Sequence, residues 1–375
     1  MIEEVQNTDR SRRYSAIKAR VFMADLLVTA GLMIVFQMVI SLPLSEKIAS
    51  LIGNFYVSCF FYASIFMIYM YILGLPLCFF GSFYIDHHFD LSEQSFKMWF
   101  IDDLKSAGLR FIILMAGVQV FYLLLRNYPD MWWLMLSAVW FLFSVVLARI
   151  APLVIIPLFF KYLPVNDDEL QSKLIELGKR ARVQVTDICR IDLSRKTKKA
   201  NAALVGLGKS RKVLLGDTLT NEFTREEIET VVAHEFGHHK YLHMWQLLGF
   251  SGAVTAAGFF IVSRVADRIV DFFNASGPFD LYIFPALVFL LMLYGVLVIP
   301  TQNLFSRILE RQADRFALKI IDDPAVFISV MEKLGAMNLA DKEPGVVRKI
   351  FLFNHPPINE RIKMAEEWGQ VLNLP

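Results

Sequence analysis

Two histidines and a glutamate near residue 235 have the spacing of a hydrolytic metal site. Residues 231–243 read VVAHEFGHHKYLH, so His234 and His238 are four residues apart, with Glu235 directly after the first. On a helix such positions share one face, and the two imidazoles can bind one cation. A metal makes a bound water acidic, and Glu235 is placed to accept its proton. The spacing predicts a zinc-dependent hydrolase; the alternative is a structural helix that contains the pattern by chance.

A hydrolytic zinc site needs about three protein ligands, and a later segment offers the third. Residues 306–319 read SRILERQADRFALK, which places Glu310 and Asp314 four residues apart on a predicted helix. Glu310 can complete a site of two histidines and one glutamate, and Asp314 can hydrogen-bond a ligand histidine. Taken alone, this segment also fits a solvated helix face of alternating charge. The motif at 234–238 favours the ligand interpretation.

The remaining histidines are not expected to bind this metal. His239 lies one position off the ligand face, and we expect His243 to lie on the same helix as a spare histidine. His87 and His88 fall in a polar loop between apolar segments. Ordinary loop packing is the preferred interpretation for them, and a second metal site is the alternative.

The chain is too apolar for an ordinary soluble domain. Its 375 residues are 55% hydrophobic, 14% aromatic and 20% charged, and the apolar residues are concentrated in long blocks without charge. A helix needs about 20 apolar residues to cross a bilayer. We predict six spans, roughly at 21–42, 58–83, 109–126, 132–157, 245–263 and 281–302. The sequence therefore predicts a multi-pass protein whose partner is the lipid bilayer, with buried helices of a soluble protein as the alternative.

Two polar segments, 158–244 and 303–375, are separated by two of these spans and must lie on one membrane face. Residues 10–20 contain five arginines and lysines, which predicts a cytoplasmic N-terminus and, after six spans, a cytoplasmic C-terminus. We divide the chain into a membrane domain with four spans (1–157) and a metallopeptidase domain (158–375). A two-span hairpin at about 245–302 interrupts the second domain.

The first polar segment has the local patterns of a small α+β domain. A helical pattern covers residues 167–183, and the runs ICRIDL and KVLLGD resemble strands. Thr224 and Glu227 have the spacing of a capping box. We therefore expect the metal-binding helix to begin there, two to three turns before the histidines.

Several motifs together resemble a known family. HEFGHHK, SRILERQAD, NAALVGLGKSRKVLLGDTL and NHPPINERI occur in the family's order, and FYIDHHFDLSEQSFKMWFIDDLKS and IAPLVIIPLFFKYLPVNDDEL resemble its membrane half. The family is that of integral-membrane zinc peptidases of the CAAX prenyl protease 1 type, with their bacterial relatives. The resemblance implies a mainly α, polytopic fold in which a helical barrel surrounds an aqueous chamber. A zincin-type α+β metallopeptidase domain closes that chamber, so water reaches a site beside the bilayer.

The resemblance also implies a role for each matching residue. It implies one zinc per chain held by His234, His238 and Glu310, with Glu235 as general base and acid. Asn201 would anchor the extended substrate backbone near an edge strand. His355 and Arg361 would line the cleft, where they contact substrate or steady the oxyanion. This sequence departs from the family's pattern at two points. It has six predicted spans, where eukaryotic members have seven, and it has Ala203 where the family often has an aromatic residue.

The expected function is a membrane-embedded zinc endopeptidase. Its substrates would be prenylated CaaX proteins or misfolded and membrane-associated proteins, and no nucleic-acid partner is expected. The expected location is the bacterial inner membrane, with catalytic domain and termini cytoplasmic, or the endoplasmic reticulum in a eukaryote. A transporter with a borrowed metal site is disfavoured because the spans carry few ionisable residues. An inactive scaffold is disfavoured by the presence of Glu235.

Overall fold

The computed structural model of the protein describes residues 2–206 and 211–372, with side chains for residues 9–206 and 211–371. Within that part of the chain, six helical segments are long and apolar enough to cross a membrane: Asp9–Leu51, Phe55–His88, Phe96–Asn127, Trp132–Phe159, His243–Phe273 and Leu281–Ile321. The predicted number of spans is confirmed. Each helical segment extends beyond the apolar run that predicted it.

The helices in chain order are α1 Ile2–Val35, α2 Leu42–Leu51, α3 Phe55–Phe79, α4 Ile85–His88, α5 Phe96–Asn127, α6 Trp132–Ile150, α7 Ile156–Phe159, α8 Asp168–Ala181, α9 Asp217–Glu222, α10 Arg225–Lys240, α11 His243–Phe273, α12 Phe284–Ile321, α13 Pro324–Met337, α14 Val346–Leu352 and α15 Ile358–Leu372. The strands are β1 Tyr162–Pro164, β2 Asp187–Ile191, β3 Ala202–Val205 and β4 Lys212–Gly216.

Wider π-helical turns join consecutive helices within three of the membrane segments. They cover Phe36–Ser41, Phe80–Tyr84 and Ala151–Ile155. Pro152 lies within the third of these turns, Pro43 lies shortly after the first, and Pro76 lies shortly before the second. Proline lacks the amide hydrogen that a regular helix needs. The helical conformation therefore continues through these positions, and each segment forms one span.

A buried polar side chain in the first span holds the start of the last one. Gln37 donates from Nε2 to the carbonyl oxygen of Tyr282, and its Oε1 accepts from the backbone N–H of Ala286, both at 3.1 Å. The first amide groups of a helix have no hydrogen-bond partner within the helix. Gln37 therefore satisfies one of the free amide groups at the start of α12. It fixes the first and last spans relative to each other.

The N-terminal part of α1 extends beyond the apolar run and contacts the polar segment 158–244. Tyr14 donates to Asp86 (3.0 Å) and accepts from Nζ of Lys199 (2.9 Å), while Lys18 pairs with Asp86 at 2.8 Å. This extension of α1 is not predicted from its mixed charge pattern. It connects the first membrane segment to the residues that lead into β3.

The four strands form one small sheet in the order β1-β2-β4-β3. β2 and β4 are parallel, and the outer pairs are antiparallel, with Ala203 of β3 opposite Leu214 of β4. The sequence predicted β2 and β4, whose apolar runs are central in the sheet. It missed β1 and β3, which are short edge strands.

A common core joins this sheet to the helices of both polar segments. Leu174 of α8, Leu215 of β4, Phe236 of α10, Leu318 of α12 and Phe327 of α13 belong to it and are all but inaccessible to solvent. Burying each such side chain contributes about 1.5–3 kcal/mol. The two polar segments therefore fold as one unit, although a membrane hairpin separates them in sequence.

Two helices bring the chemically important residues into this unit. The predicted capping box starts α10: Thr224 N–H donates to Oε2 of Glu227, and the backbone N–H of Glu227 donates to Oγ1 of Thr224. α12 runs without interruption from the membrane segment through Pro300 to Ile321. It therefore carries Glu310 out of the bilayer on a rigid helix that packs across α10.

Candidate active site

His234, His238 and Glu310 meet where α10 crosses α12. The Nε2 atoms of the two histidines are 3.1 Å apart, and they lie 3.3 and 3.4 Å from the two carboxylate oxygens of Glu310. One donor atom from each residue falls within 4.8 Å of the others. Ligands at about 2.0–2.1 Å from a tetrahedral zinc ion are themselves about 3.3 Å apart. The spacing of these atoms therefore suits a small divalent cation.

The environment of Glu310 supports the same conclusion. Its Oε2 atom is buried and makes no hydrogen bond of good geometry, although Nδ1 of His355 lies 2.8 Å away. A buried carboxylate oxygen without such a bond is costly unless something else compensates its charge. The donor set of two imidazoles and one carboxylate matches hydrolytic zinc sites. The residues fit the predicted metal.

Asp314 lies behind His234 and is inaccessible to solvent. Its Oδ1 is 2.8 Å from Nδ1 of His234, and its carboxylate also accepts two bonds from Arg361, at 2.8 Å from Nε and 2.5 Å from a terminal nitrogen. A carboxylate accepts only, so Nδ1 of His234 carries the hydrogen. In the neutral ring the lone pair is then on Nε2, which faces His238 and Glu310.

The carboxylates make this cluster attractive to positive charge. Burial alone would lower the pKa of His234, but the hydrogen bond and charge of Asp314, helped by Glu310, raise it to about 10. Burial, followed by the charge on His234, lowers the pKa of His238 to about 4. The cluster thus favours one positive charge among its histidines, close to the position that a cation would take.

Glu235 lies beside the cluster on the wall of a cavity. Burial raises the pKa of Glu235, and the nearby charge of Glu310 raises it further against the opposing effect of His234. The backbone of Leu204 on the edge strand β3 favours its charged form and so lowers its pKa in part. A carboxylate of raised pKa is a better proton acceptor near neutral pH than an ordinary one.

The cavity has a volume of about 280 Å³ and connects the cluster to the sheet edge. Asn201, His355 and Arg361 line it together with His234 and Glu235. Apolar side chains also line it, namely those of Leu219, Val231, Phe327, Met331, Leu334 and Ile358. All eight site residues predicted from the sequence therefore surround the cavity or the metal-ligand cluster beside it. Arg361 contacts Asp314 in addition to lining the cavity, which sequence reasoning did not anticipate.

The assignment of His243 to the same helix is wrong. α10 ends at Lys240, Leu242 adopts the left-handed conformation with φ of 58°, and His243 begins α11. The sharp corner turns His243 back into the protein, where its Nδ1 lies 2.9 Å from Nδ1 of His238. Periodicity along one helix could not find this contact, because it depends on the corner.

The other histidines lie outside the cluster. His239 is absent from the ligand group, as expected from its offset on α10. His87 and His88 belong to the short helix α4 rather than to a loop. The ring nitrogens of His87 lie 2.8 and 2.9 Å from the carbonyl oxygens of Phe83 and Gln94. Among the described residues, only the His234–His238–Glu310 group has metal-ligand geometry, so the second-site alternative finds no support there.

Arg307 is a further site residue that sequence reasoning missed. It is buried one turn before Glu310, and it donates to the carbonyl oxygens of Lys349 and Phe353 at 3.0 and 2.6 Å. These contacts tie the loop that carries His355 to the helix that carries Glu310. The only available signal was an arginine one turn before a ligand, which is not specific.

Comparison with known proteins identifies the family. The sequence model described as peptidase family M48 matches residues 164–369, and a model described as the CAAX prenyl protease N-terminal region, with five membrane helices, matches residues 3–161. The chain belongs to peptidase family M48. It is a membrane metallopeptidase, and the fold class predicted from the sequence is confirmed. The described part of 3–161 contains four candidate spans, one fewer than that description counts.

Individual relatives of this M48 peptidase support the same family assignment. It is 30% identical to the uncharacterized metalloprotease YhfN of Bacillus subtilis over 79% of this chain and 70% of that protein. It is 28% identical to CAAX prenyl protease 1 of Saccharomyces cerevisiae over 78% of this chain and 68% of that protein. The crystal structure of S. mikatae Ste24p superposes with a TM-score of 0.85, covering 96% of this chain and 89% of the other at 23% identity. That likeness shows the common fold.

Proposed function

We propose that this M48 peptidase is a zinc-dependent endopeptidase that cleaves membrane-associated proteins. The observation that carries the proposal is the group formed by His234, His238 and Glu310, with Glu235 directly beside it on the cavity wall. Family M48 membership establishes a metallopeptidase, and the donor set favours zinc over harder cations that prefer oxygen ligands.

The chain's own residues supply the remaining chemistry. A bound zinc ion supplies Lewis acidity that polarises a peptide carbonyl and makes water easier to deprotonate. Glu235 accepts the proton of the attacking water as the carbon–oxygen bond forms. It then donates that proton to the amide nitrogen as the carbon–nitrogen bond breaks. The raised pKa of Glu235 suits both steps.

Two cavity residues are proposed to bind the substrate, and a third is proposed to support the site. β3 is an edge strand, so an extended peptide can pair with it, and Asn201 at its start would hold that backbone. His355 has an exposed side chain beside Glu310 and would donate to the developing oxyanion. Arg361 would support the site through Asp314. The apolar part of the cavity would accept an apolar substrate side chain.

The substrate class is proposed from the relatives and the membrane setting. Several similar proteins are named CAAX prenyl protease 1, whereas YhfN is named only as a metalloprotease. Both classes of substrate predicted from the sequence therefore remain part of the proposal: prenylated CaaX proteins, and misfolded or membrane-associated proteins.

We also propose that the catalytic domain and both termini lie on the cytoplasmic face. The basic residues before the first span support this orientation. The division into a membrane domain (1–157) and a metallopeptidase domain (158–375) belongs to the same proposal. In a bacterium the location would be the inner membrane, and in a eukaryote the endoplasmic reticulum.

The decisive experiment uses the purified full-length protein in lipid nanodiscs. Three substrates are compared: a prenylated CaaX peptide, the same peptide without the prenyl group, and a denatured membrane protein. Cleavage that stops with a zinc chelator and returns with zinc supports the proposal. The ratio between the first two peptides measures prenyl recognition, and cleavage of the third alone indicates quality control. Cleavage that persists unchanged in the chelator and in Glu235→Gln would overturn the assigned site.

A further inference from the structure

The ligand His238 is hydrogen-bonded to a histidine to which the proposed mechanism gives no role. Nδ1 of His238 lies 2.9 Å from Nδ1 of His243, and Nε2 of His243 lies 3.0 Å from Oε1 of Gln312. His243 is inaccessible to solvent, whereas Gln312 lies on the exposed side of α12. The three side chains form a chain of hydrogen bonds that ends at the metal-ligand cluster.

With Oε1 of Gln312 facing His243, neutral rings allow one arrangement of donors and acceptors in this chain. Oε1 of Gln312 accepts, so Nε2 of His243 must carry a hydrogen. A neutral imidazole carries one hydrogen, so with that hydrogen on Nε2 the Nδ1 of His243 has a free lone pair. Nδ1 of His238 must then donate to it. A neutral His238 consequently has its lone pair on Nε2, the atom that faces His234 and Glu310.

We propose that His243 and Gln312 are positioning residues that hold His238 in its metal-binding tautomer. Asp314 makes the equivalent contact with Nδ1 of His234, but through a direct carboxylate bond. The two ligand histidines thus have different hydrogen-bond partners. The charged carboxylate of Asp314 orients His234, and the neutral pair of His243 and Gln312 orients His238. Partners of this kind change metal affinity by about 10–100-fold when removed. The inference rests on the proposed zinc site.

The backbone supports a dedicated role for His243. The preceding Leu242 has φ of 58°, a left-handed conformation that costs a non-glycine residue about 1–2 kcal/mol. This corner between α10 and α11 directs the His243 ring back onto His238 instead of into solvent. Conformations of this kind persist where the surrounding contacts stabilise them. The hydrogen bonds of His243 on both sides provide such contacts.

The test measures zinc affinity by competition with a coloured chelator, on full-length protein in detergent. His243→Phe keeps a ring of similar size but cannot accept a hydrogen bond. We expect it to bind zinc about 10–100-fold more weakly than wild type. His239→Phe is the matched control, since His239 is a neighbouring histidine outside the ligand group, and it should bind zinc like wild type.

A pair of substitutions at Gln312 separates tautomer control from packing. Gln312→Glu keeps an oxygen that can only accept, so zinc affinity should stay close to wild type or increase. The methionine in Gln312→Met has a similar length but no oxygen. Its zinc affinity should therefore fall, as expected for His243→Phe. Both variants sit at an exposed position, so they remain informative if His243→Phe does not fold.

The possible results are clearly distinguishable. Weak binding by Gln312→Met together with normal binding by Gln312→Glu supports the inference. Equal zinc affinity for both variants overturns it, and so does wild-type affinity in a folded His243→Phe protein. Absence of zinc binding in the wild-type protein would contradict both this inference and the proposed function. Zinc binding by wild type that is lost in His234→Ala shows that the metal site stands independently of His243.

Discussion

Gly237 and Ala313 bring helices α10 and α12 closer together than any larger residue would permit. A β-carbon on Gly237 would lie 2.9 Å from the α-carbon of Ala313 and 3.1 Å from its carbonyl oxygen. Both neighbours are backbone atoms and cannot rotate away. Gly237 precedes the ligand His238, and Ala313 lies one turn after the ligand Glu310. The close approach of these two residues therefore sets the distance between ligands from different parts of the chain.

Gly237→Ala should weaken the metal site because the added methyl group forces the helices apart. Overpacking of this kind costs about 1–3 kcal/mol. We expect a lower thermal stability and weaker zinc binding, measured by thermal unfolding and chelator competition. Gly249→Ala is the matched control, since a β-carbon there meets no atom within 4 Å. Unchanged zinc affinity in Gly237→Ala would show that the helix spacing does not determine the ligand geometry.

Glu235→Gln should retain zinc and lose activity, since the amide keeps the shape of the side chain but cannot accept the proton. Loss of a general base typically costs 10²–10⁴-fold in rate. Turnover of the best substrate from the nanodisc assay and zinc content by atomic absorption provide the two measurements. A variant with full zinc content and near-normal turnover would exclude Glu235 as the base.

Asp314→Ala should be strongly destabilising, because it leaves the buried Arg361 without its partner. Breaking a buried charge pair by removing one member costs about 3–5 kcal/mol. The double variant Asp314→Ala with Arg361→Met removes both charges and should recover part of the lost stability. It should not recover zinc affinity, because Nδ1 of His234 still lacks its acceptor. Recovery of both properties together would mean that Asp314 serves the fold and not the metal.

His355→Ala should lower turnover by about 10²–10³-fold with zinc retained, if His355 steadies the oxyanion. Arg307→Met should have a smaller effect in the same direction, because Arg307 only fixes the loop that carries His355. Steady-state kinetics and zinc content are compared for the two variants. Loss of zinc in His355→Ala would instead identify His355 as a metal ligand, since it already lies 2.8 Å from Glu310.

Labelling of single introduced cysteines should show that the two polar segments lie on the same face of the membrane. Exposed sites are available at Glu222 and Glu343 in those segments, and at Asp130 between the third and fourth spans. In a protein whose native cysteines are replaced, an impermeant thiol reagent applied to intact cells should label Asp130→Cys alone. Permeabilised cells should show labelling at all three sites. Labelling of Glu222→Cys and Glu343→Cys from opposite sides would contradict the contacts between the two segments.

The sequence by itself determined the spans and the local part of the metal site. Helical periodicity is a local property, so the four-residue spacing of His234 and His238 already placed both on one face. Long charge-free runs similarly predicted six membrane segments, because a bilayer accepts little else. Even Glu310 could be proposed as the third ligand, since two intervening spans return the chain to the same face.

Only the tertiary structure decided how these parts are held together. The contact of His243 with His238 depends on a left-handed corner at Leu242, and no spacing rule along a helix describes such a corner. The pairing of Arg361 with Asp314, and the approach of Gly237 to Ala313, depend on how separate helices cross. Crossing geometry results from the packing of many side chains at once. The residues that do the chemistry can therefore be identified locally, whereas the residues that orient them become visible only in the folded chain.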